Sequence, residues 1–171
     1  MIGKKVEAAL NAQINAELYS AYLYLSMNSY FLSVNLKGCA NWMYIQALEE
    51  MTHAEKFNHY INERGGRVTL MPIEGPPLQW SSPLAAFEDV YKHEQKVTAM
   101  INSLVDLAIE EKDHATRSML HWFVDEQVEE EANADGIVGQ LKLIGENTGG
   151  LFLFDRELGA RVFTPPVRSQ G

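Results

Sequence analysis

The sequence predicts an all-α protein: four long helices in a bundle, one long crossover between the second and third, and a short fifth helix. Three observations predict this fold. Apolar residues recur at helical spacing over four long segments, glycine and proline gather between those segments, and one junction is far longer than the others. The predicted helices cover about residues 4–33, 38–64, 83–111, 114–144 and 148–158, within a single domain of 171 residues.

The first two helices are expected to form a hairpin. Apolar residues of the first helix follow one another at intervals of three and four: Val6, Leu10, Ile14, Leu18, Ala21 and Leu25. Only a short break separates this helix from the second, which predicts an antiparallel pair. The second helix is expected to end at Gly65 and Gly66, because glycine readily adopts the left-handed conformation that terminates helices.

The other two long helices have recognisable starts. Ser82 before Pro83 is typical of an N-cap followed by proline at the first helical position. Asp113 is expected to cap the fourth helix, and Gly145 to end it. The tail from Thr164-Pro165-Pro166 onward is expected to fray.

Residues 65–82 connect the two hairpins and contain three glycines and three prolines. This connection is longer than the ~12–15 residues usual in compact domains. Fully extended it spans roughly 60 Å, whereas the second helix is about 40 Å long. The connection can therefore return along the bundle, so that the third helix starts at the end where the second one starts.

Composition limits the possible functions. A net charge of -9, from 23 acidic and 14 basic residues, argues against a nucleic-acid partner and suits cations. The single cysteine, Cys39, excludes an internal disulfide and fits a reducing compartment. The N-terminus does not resemble a signal peptide, and no run of about 18 apolar residues could span a membrane. We expect a cytoplasmic protein without a membrane partner.

Glu50 and His53 are the first candidate metal ligands. Three residues apart on the second helix, they project from one face and offer a carboxylate and an imidazole to the same ion. Taken alone the pattern is weak, because Glu and His at this spacing occur by chance on many solvated helices.

A repeat of the spacing strengthens the interpretation. Each hairpin has an acidic residue on its first helix, 33 positions before the pair on its second. Glu17, Glu50 and His53 correspond in this way to Glu94, Gln127 and Glu130, at a constant offset of 77 residues. Polar groups at matching heights on inward faces are hard to explain as solvated surface.

Several buried carboxylates need a counter-charge, and lysine and arginine are scarce nearby. A bound cation supplies it, and a set of oxygens with one imidazole suits iron or manganese better than zinc. Of two ions, one is expected to take Glu17, Glu50 and His53 and the other Glu50, Glu94 and Glu130, with Glu50 as the bridge. Gln127 is expected to hydrogen-bond oxygen species or water.

Other residues near this set have two possible interpretations. Glu49, Glu126 and Glu129, together with Glu130, could hold a third and looser ion, or could form an acidic solvated face. Tyr24, seven residues after Glu17, could hydrogen-bond a ligand or give up an electron, or could be a plain core tyrosine. Trp122 is expected to pack in the core.

The residues around these positions resemble those of bacterial and archaeal non-haem ferritins over essentially the whole chain. The segments that carry the resemblance are NAQINAELYSAYLYLSM, QALEEMTHAEKF, VYKHEQKVT, HWFVDEQVEEE, GGRV and FLFDREL. Ferritin-like proteins are the known example of the bundle predicted above. The resemblance implies a ferroxidase that oxidises Fe(II) with O2 or peroxide and stores ferric oxyhydroxide in a hollow shell, usually of 24 identical subunits.

The resemblance also implies residue roles. The di-iron ligands would be Glu17, Glu50, His53, Glu94 and Glu130, with Gln127 and Tyr24 beside them. The third iron site would use Glu49, Glu126 and Glu129.

The chain departs from two related types. Bacterioferritins, which bind haem, carry Glu and His where this chain has Gln127 and Glu130. Met51 stands at the position of their haem-ligating methionine, but EEMTH also occurs in non-haem ferritins, so haem is not expected. Animal ferritins line an entry channel with acidic residues where this chain has Arg117 and Leu120, which puts such a channel in doubt here.

Four alternatives fit less well. A rubrerythrin-type peroxidase usually carries a cysteine-rich segment, which a chain with only Cys39 lacks. A miniature ferritin places its site between subunits. A storage subunit without oxidase activity would lack some of the ligands, and a di-iron oxygenase is normally longer and has a substrate pocket.

Overall fold

The computed structural model describes residues 1–164, so most of the tail predicted to fray lies outside the described residues. The described chain consists of five helices without a strand. They are α1 (Lys4–Ser33), α2 (Lys37–Glu63), α3 (Pro83–Glu110), α4 (His114–Ile144) and α5 (Thr148–Leu158). The all-α fold with four long helices and a short fifth is confirmed. No helix in residues 1–164 combines the length and apolar character needed to cross a membrane.

Side-chain caps fix where the later helices begin. Ser82 accepts a hydrogen bond from the Ala85 amide, and Asp113 accepts one from the Thr116 amide, so both predicted N-caps are present. Gly65 ends α2 with a φ of 71°, in the left-handed region that favours glycine.

The crossover runs along α1. The Asn11 side chain donates to the Arg67 carbonyl oxygen at 3.0 Å and accepts from the Thr69 amide at 2.6 Å. Fifteen residues further along α1, Ser26 donates to the carbonyl oxygen of Pro77 at 2.5 Å. Because fifteen helical residues span about 22 Å, the connection returns over much of the bundle, as its length predicted.

The core divides into two apolar clusters separated by a polar layer. On every long helix, the buried apolar residues on one side of a short gap belong to one cluster, and those on the other side belong to the second cluster. The gaps lie at residues 15–22 of α1, 48–53 of α2, 91–96 of α3 and 124–133 of α4. Since the gaps of all four helices meet at one height, the polar residues within them face one another inside the bundle.

One part of the predicted apolar stripe on α1 is wrong. Leu25 is 45% exposed and Leu18 is only half-buried, although Val6, Leu10 and Ile14 are buried. Four residues turn a helix by about 400°, which is about 40° more than a full turn. Each step of four therefore rotates the next residue about 40° further from the core. The buried face continues instead through Glu17, Ser20 and Tyr24. Because Glu17 and Ser20 are polar, an apolar pattern in the sequence does not identify this part of the buried face.

The short helix α5 packs against the beginning of α2. Gly38 touches the backbone of Asp155 and Gly159, and the Cys39 amide donates to the Asp155 carboxylate at 2.8 Å. Phe154 and Leu158 are buried in the nearby core cluster. The chain that follows α5 is thereby placed beside α2.

Candidate metal centre

The polar layer contains a compact group of three possible metal ligands. One ligand atom each from Glu17, Glu50 and His53 lies within 4.8 Å of the other two. The three residues are at most 3% exposed. His53 Nδ1 lies 3.4 Å from Glu50 Oε2, so the spacing of three on α2 brings imidazole and carboxylate together as expected.

Glu94 and Glu130 are buried in the same layer but are held by other partners. Tyr24 donates its hydroxyl to Glu94 Oε1, and Gln127 Nε2 donates to Glu94 Oε2 at 3.2 Å. Gln46 Nε2 donates to Glu130 Oε2 at 2.9 Å. Within residues 1–164, neither carboxylate joins a group as tight as that of Glu17, Glu50 and His53.

Two glutamines of the centre, Gln13 and Gln46, were not predicted from the sequence, whereas Gln127 was. Gln13 donates to Glu17 Oε1 at 2.9 Å, which gives Glu17, Glu94 and Glu130 one glutamine donor each. A signal existed: Gln13 and Gln46 each stand one helical turn before a candidate ligand on the same helix. These amides orient the carboxylates and stabilise their ionised form.

The buried carboxylates resist ionisation. Burial, reinforced by the charge of Glu50, raises the pKa of Glu17 well above its ordinary value, and burial together with Glu94 and Glu130 does the same to the pKa of Glu50. Burial raises the pKa of Glu94, and burial with the charge of Glu94 raises the pKa of Glu130 to about 8. In the absence of a cation the centre therefore takes up protons.

Two further observations favour a cation. Within residues 1–164, none of the four buried carboxylates forms an ion pair with lysine or arginine. In the same range Glu17 Oε2 and Glu50 Oε2 are buried without a hydrogen-bond partner. A divalent cation would neutralise the carboxylates and bind the unpartnered oxygens, and this oxygen-rich set with one imidazole fits iron.

The protonation of the centre leads to a test of the metal-free protein. Between pH 4.5 and about 8 the folded chain holds a proton on Glu130 that the unfolded chain has lost. The free energy of unfolding should therefore fall as pH rises through this window, by up to about 1.4 kcal/mol per pH unit for one such group. Urea unfolding at pH 5 and pH 8, with metal removed, measures the change. Glu130→Gln should reduce the slope, and an equal slope in both proteins would contradict the assignment.

The residues predicted for a third ion are less closely associated. The Glu49 carboxylate pairs with Arg161 at 2.6 Å. Glu126 is partly exposed, with Oε1 4.0 Å from His53 Nε2, and Glu129 is exposed. The structure therefore places Glu126 beside the compact group, whereas Glu49 already has a cationic partner.

Two aromatic residues border the centre. Tyr24 is completely buried, and burial together with Glu94 raises the pKa of its hydroxyl well above the ordinary value. Trp122 packs against the core as expected, and its ring also meets His53 edge-on at 5.5 Å between centroids. Tyr24 can therefore act as a neutral hydrogen-bond donor to Glu94.

The fold and this centre together define a class of helical-bundle proteins that hold metals between inward carboxylates of facing helices. A model of the ferritin-like domain family matches residues 7–144. A bacterial non-haem ferritin of Bacteroides fragilis is 46% identical over 161 residues, which cover 94% of this chain and all of the relative. A second, of Campylobacter jejuni, is 44% identical and aligns with 91% of this chain and 93% of its own length.

Solved structures show the same relationship. An open-pore ferritin of the hyperthermophilic archaeon Archaeoglobus fulgidus superposes with a TM-score of 0.94 at 56% identity, covering 95% of this chain and all of the other. An engineered closed form of that organism's ferritin gives 0.95 at 57% identity over 96% of this chain and all of its own. The chain belongs to the ferritin family, and the two bacterial relatives named above are non-haem ferritins.

Proposed function

We propose that this chain is a subunit of an iron-storage ferritin and a ferroxidase. It would oxidise Fe(II) at a di-iron centre within each subunit and deposit ferric oxyhydroxide in a hollow shell. The observation that carries the proposal is the buried group of Glu17, Glu50 and His53, whose ligand atoms lie within 4.8 Å of one another. Within residues 1–164, the four buried carboxylates of Glu17, Glu50, Glu94 and Glu130 have no lysine or arginine partner, so a cation is the natural counter-charge.

The two ions would use different residues. One Fe(II) would bind Glu17, Glu50 and His53, and the other would bind Glu50, Glu94 and Glu130, with Glu50 shared. For the second ion, Glu94 and Glu130 would turn from their partners Tyr24 and Gln46 toward the metal or bind with their second oxygen. Each carboxylate would give up its proton when a cation binds.

The remaining residues of the centre would interact with the oxidant or with the ligands. Each Fe(II) loses one electron. O2 takes two electrons and two protons to give hydrogen peroxide, and peroxide takes two more electrons and two protons to give two waters. Gln127 would hydrogen-bond the incoming oxygen species or water, and Tyr24 would donate a hydrogen bond to Glu94 or supply an extra electron. A third ion would use Glu126, Glu129 and Glu49.

We further propose a homo-oligomeric shell, of 24 subunits, that acts in the cytoplasm. The similarity to solved ferritins over nearly the whole chain supports this assembly. Haem plays no part in the proposal, because the relatives are of the non-haem type.

Iron location and particle size test these proposals separately. A crystal soaked anaerobically in Fe(II) should show two anomalous peaks per subunit, at Glu17–Glu50–His53 and at Glu50–Glu94–Glu130. Absence of both peaks would refute the ferroxidase proposal. Light scattering should give the mass of a closed shell, and a stable monomer would refute storage.

A further inference from the structure

The segment after α5 brings a cation to the edge of the carboxylate centre. Arg161 Nη2 donates to Glu49 Oε2 at 2.6 Å, and each side chain is only 23% exposed. A charge-assisted hydrogen bond of this length, partly shielded from solvent, is stronger than an ordinary surface ion pair. The proposed ferroxidase chemistry gives Arg161 no role.

Residues at the beginning of α2 hold Arg161 in place. Asn41 Nδ2 donates to the Arg161 carbonyl oxygen at 2.9 Å and to that of Leu158 at 3.4 Å. The guanidinium carbon lies 4.7 Å from the centroid of the Trp42 ring, within the range of a cation–π interaction. The side chain thus extends along α2 from Asn41 toward Glu49, two turns further on.

A second position is open to the guanidinium. Arg161 and Glu157 line the same cavity of about 560 Å³, between α4 and α5. Within residues 1–164, Glu157 forms no ion pair and the Nη1 atom of Arg161 is buried without a hydrogen-bond partner. A guanidinium that leaves Glu49 can therefore move into this cavity and pair with Glu157.

We propose that Arg161 is the resident counter-ion of Glu49 and sets the affinity of the centre for a third ferrous ion. This inference rests on the proposed function, which supplies the first two ions. Arg161 and Fe(II) compete for one carboxylate, so binding of the third ion displaces the guanidinium toward Glu157. The coupling is reciprocal. If the attached Arg161 lowers the affinity for the third ion by a given factor, binding of that ion lowers the equilibrium constant for attachment of residues 160–164 by the same factor.

Anaerobic calorimetric titration with Fe(II) tests the competition. In Arg161→Gln the third ion should bind roughly three- to tenfold more tightly, while the two tighter ions bind as before. Arg156→Gln is the matched control, because it removes the same charge from an exposed position on α5. That control should leave the affinity of the third ion within about twofold of the parent.

A double-mutant cycle tests the alternative partner. In the parent, Glu157→Gln should lower the affinity for the third ion, because the displaced Arg161 loses its second carboxylate. In the Arg161→Gln background, the same substitution should have little effect on that affinity. Hydrogen exchange of residues 160–164 should become faster when the parent binds the third ion. This readout does not depend on oxidase activity.

The outcomes separate this inference from the proposed function. If the parent fails to bind two tight ions, the proposed function is wrong. If two tight ions bind normally but the third has the same affinity in Arg161→Gln as in the parent, only the role of Arg161 is refuted. The substitution at Arg161 could release residues 160–164 even without iron. Glu49 would then also lose its cationic partner, so the third ion should still bind more tightly, and an unchanged affinity would still contradict the inference.

Discussion

Replacing Glu50 with alanine is expected to slow Fe(II) oxidation by at least about 100-fold, more than the loss of a residue that only orients a ligand. Glu50 is the carboxylate proposed to bind both ions, and it lies beside His53 in the compact group. Stopped-flow absorbance of the ferric product measures the rate. The metal-free variant should be at least as stable as the parent near neutral pH, because it no longer buries a carboxyl group whose Oε2 atom lacks a hydrogen-bond partner.

Glu55→Ala is the matched control for this experiment. Glu55 is exposed on the same helix, five residues beyond Glu50, so its removal changes the charge equally without reaching the centre. The control should oxidise Fe(II) at the parental rate. An unchanged rate in Glu50→Ala, with the fold intact by circular dichroism, would show that the site assignment is wrong.

Replacing Gly38 with alanine is expected to detach α5 and lower the free energy of unfolding by about 3 kcal/mol or more. A β-carbon at Gly38 would lie 1.5 Å from the Asp155 carbonyl oxygen and 3.0 Å from the Gly159 nitrogen. Both atoms are backbone, so α5 as a whole must move away. Phe154 and Leu158 then lose burial worth about 1.5–3 kcal/mol each. Urea unfolding measures the loss.

Gly139→Ala provides the comparison for Gly38→Ala. Gly139 lies within α4, and a β-carbon there would meet nothing within 4 Å. Alanine should therefore stabilise the protein slightly, by about 0.5–1 kcal/mol, through its better helix propensity. Equal stabilities of the two variants would show that the close packing of α5 on Gly38 does not contribute to stability.

The sequence was most informative for features that depend on one helix or one turn. The caps at Ser82 and Asp113 and the glycine end of α2 depend on neighbouring residues, so local rules were sufficient. Leu25 shows where such reasoning failed, because the buried face of α1 is marked there by polar residues such as Glu17 and Ser20. An apolar pattern cannot reveal a core that is itself polar.

The candidate centre could be predicted in part for the same reason. The spacing of Glu50 and His53, and its recurrence at the offset of 77 residues, placed one set of polar groups at one height in the bundle. The role of each group remains a prediction. The distances between groups were not accessible from the sequence, because they depend on how far each helix is rotated toward its neighbours.

The sequence by itself determined the helical bundle, its crossover and the layer in which carboxylates meet, because helical periodicity and chain length constrain all three. Only the tertiary structure decided which partner each carboxylate has. In the structure, Gln46 donates a hydrogen bond to Glu130, Tyr24 donates one to Glu94, and Arg161 donates one to Glu49. The residues of these pairs are separated by 84, 70 and 112 positions in the sequence. No local rule relates residues so far apart. Their contacts follow from the packing of α5 and the four long helices, which brings these side chains within hydrogen-bonding distance.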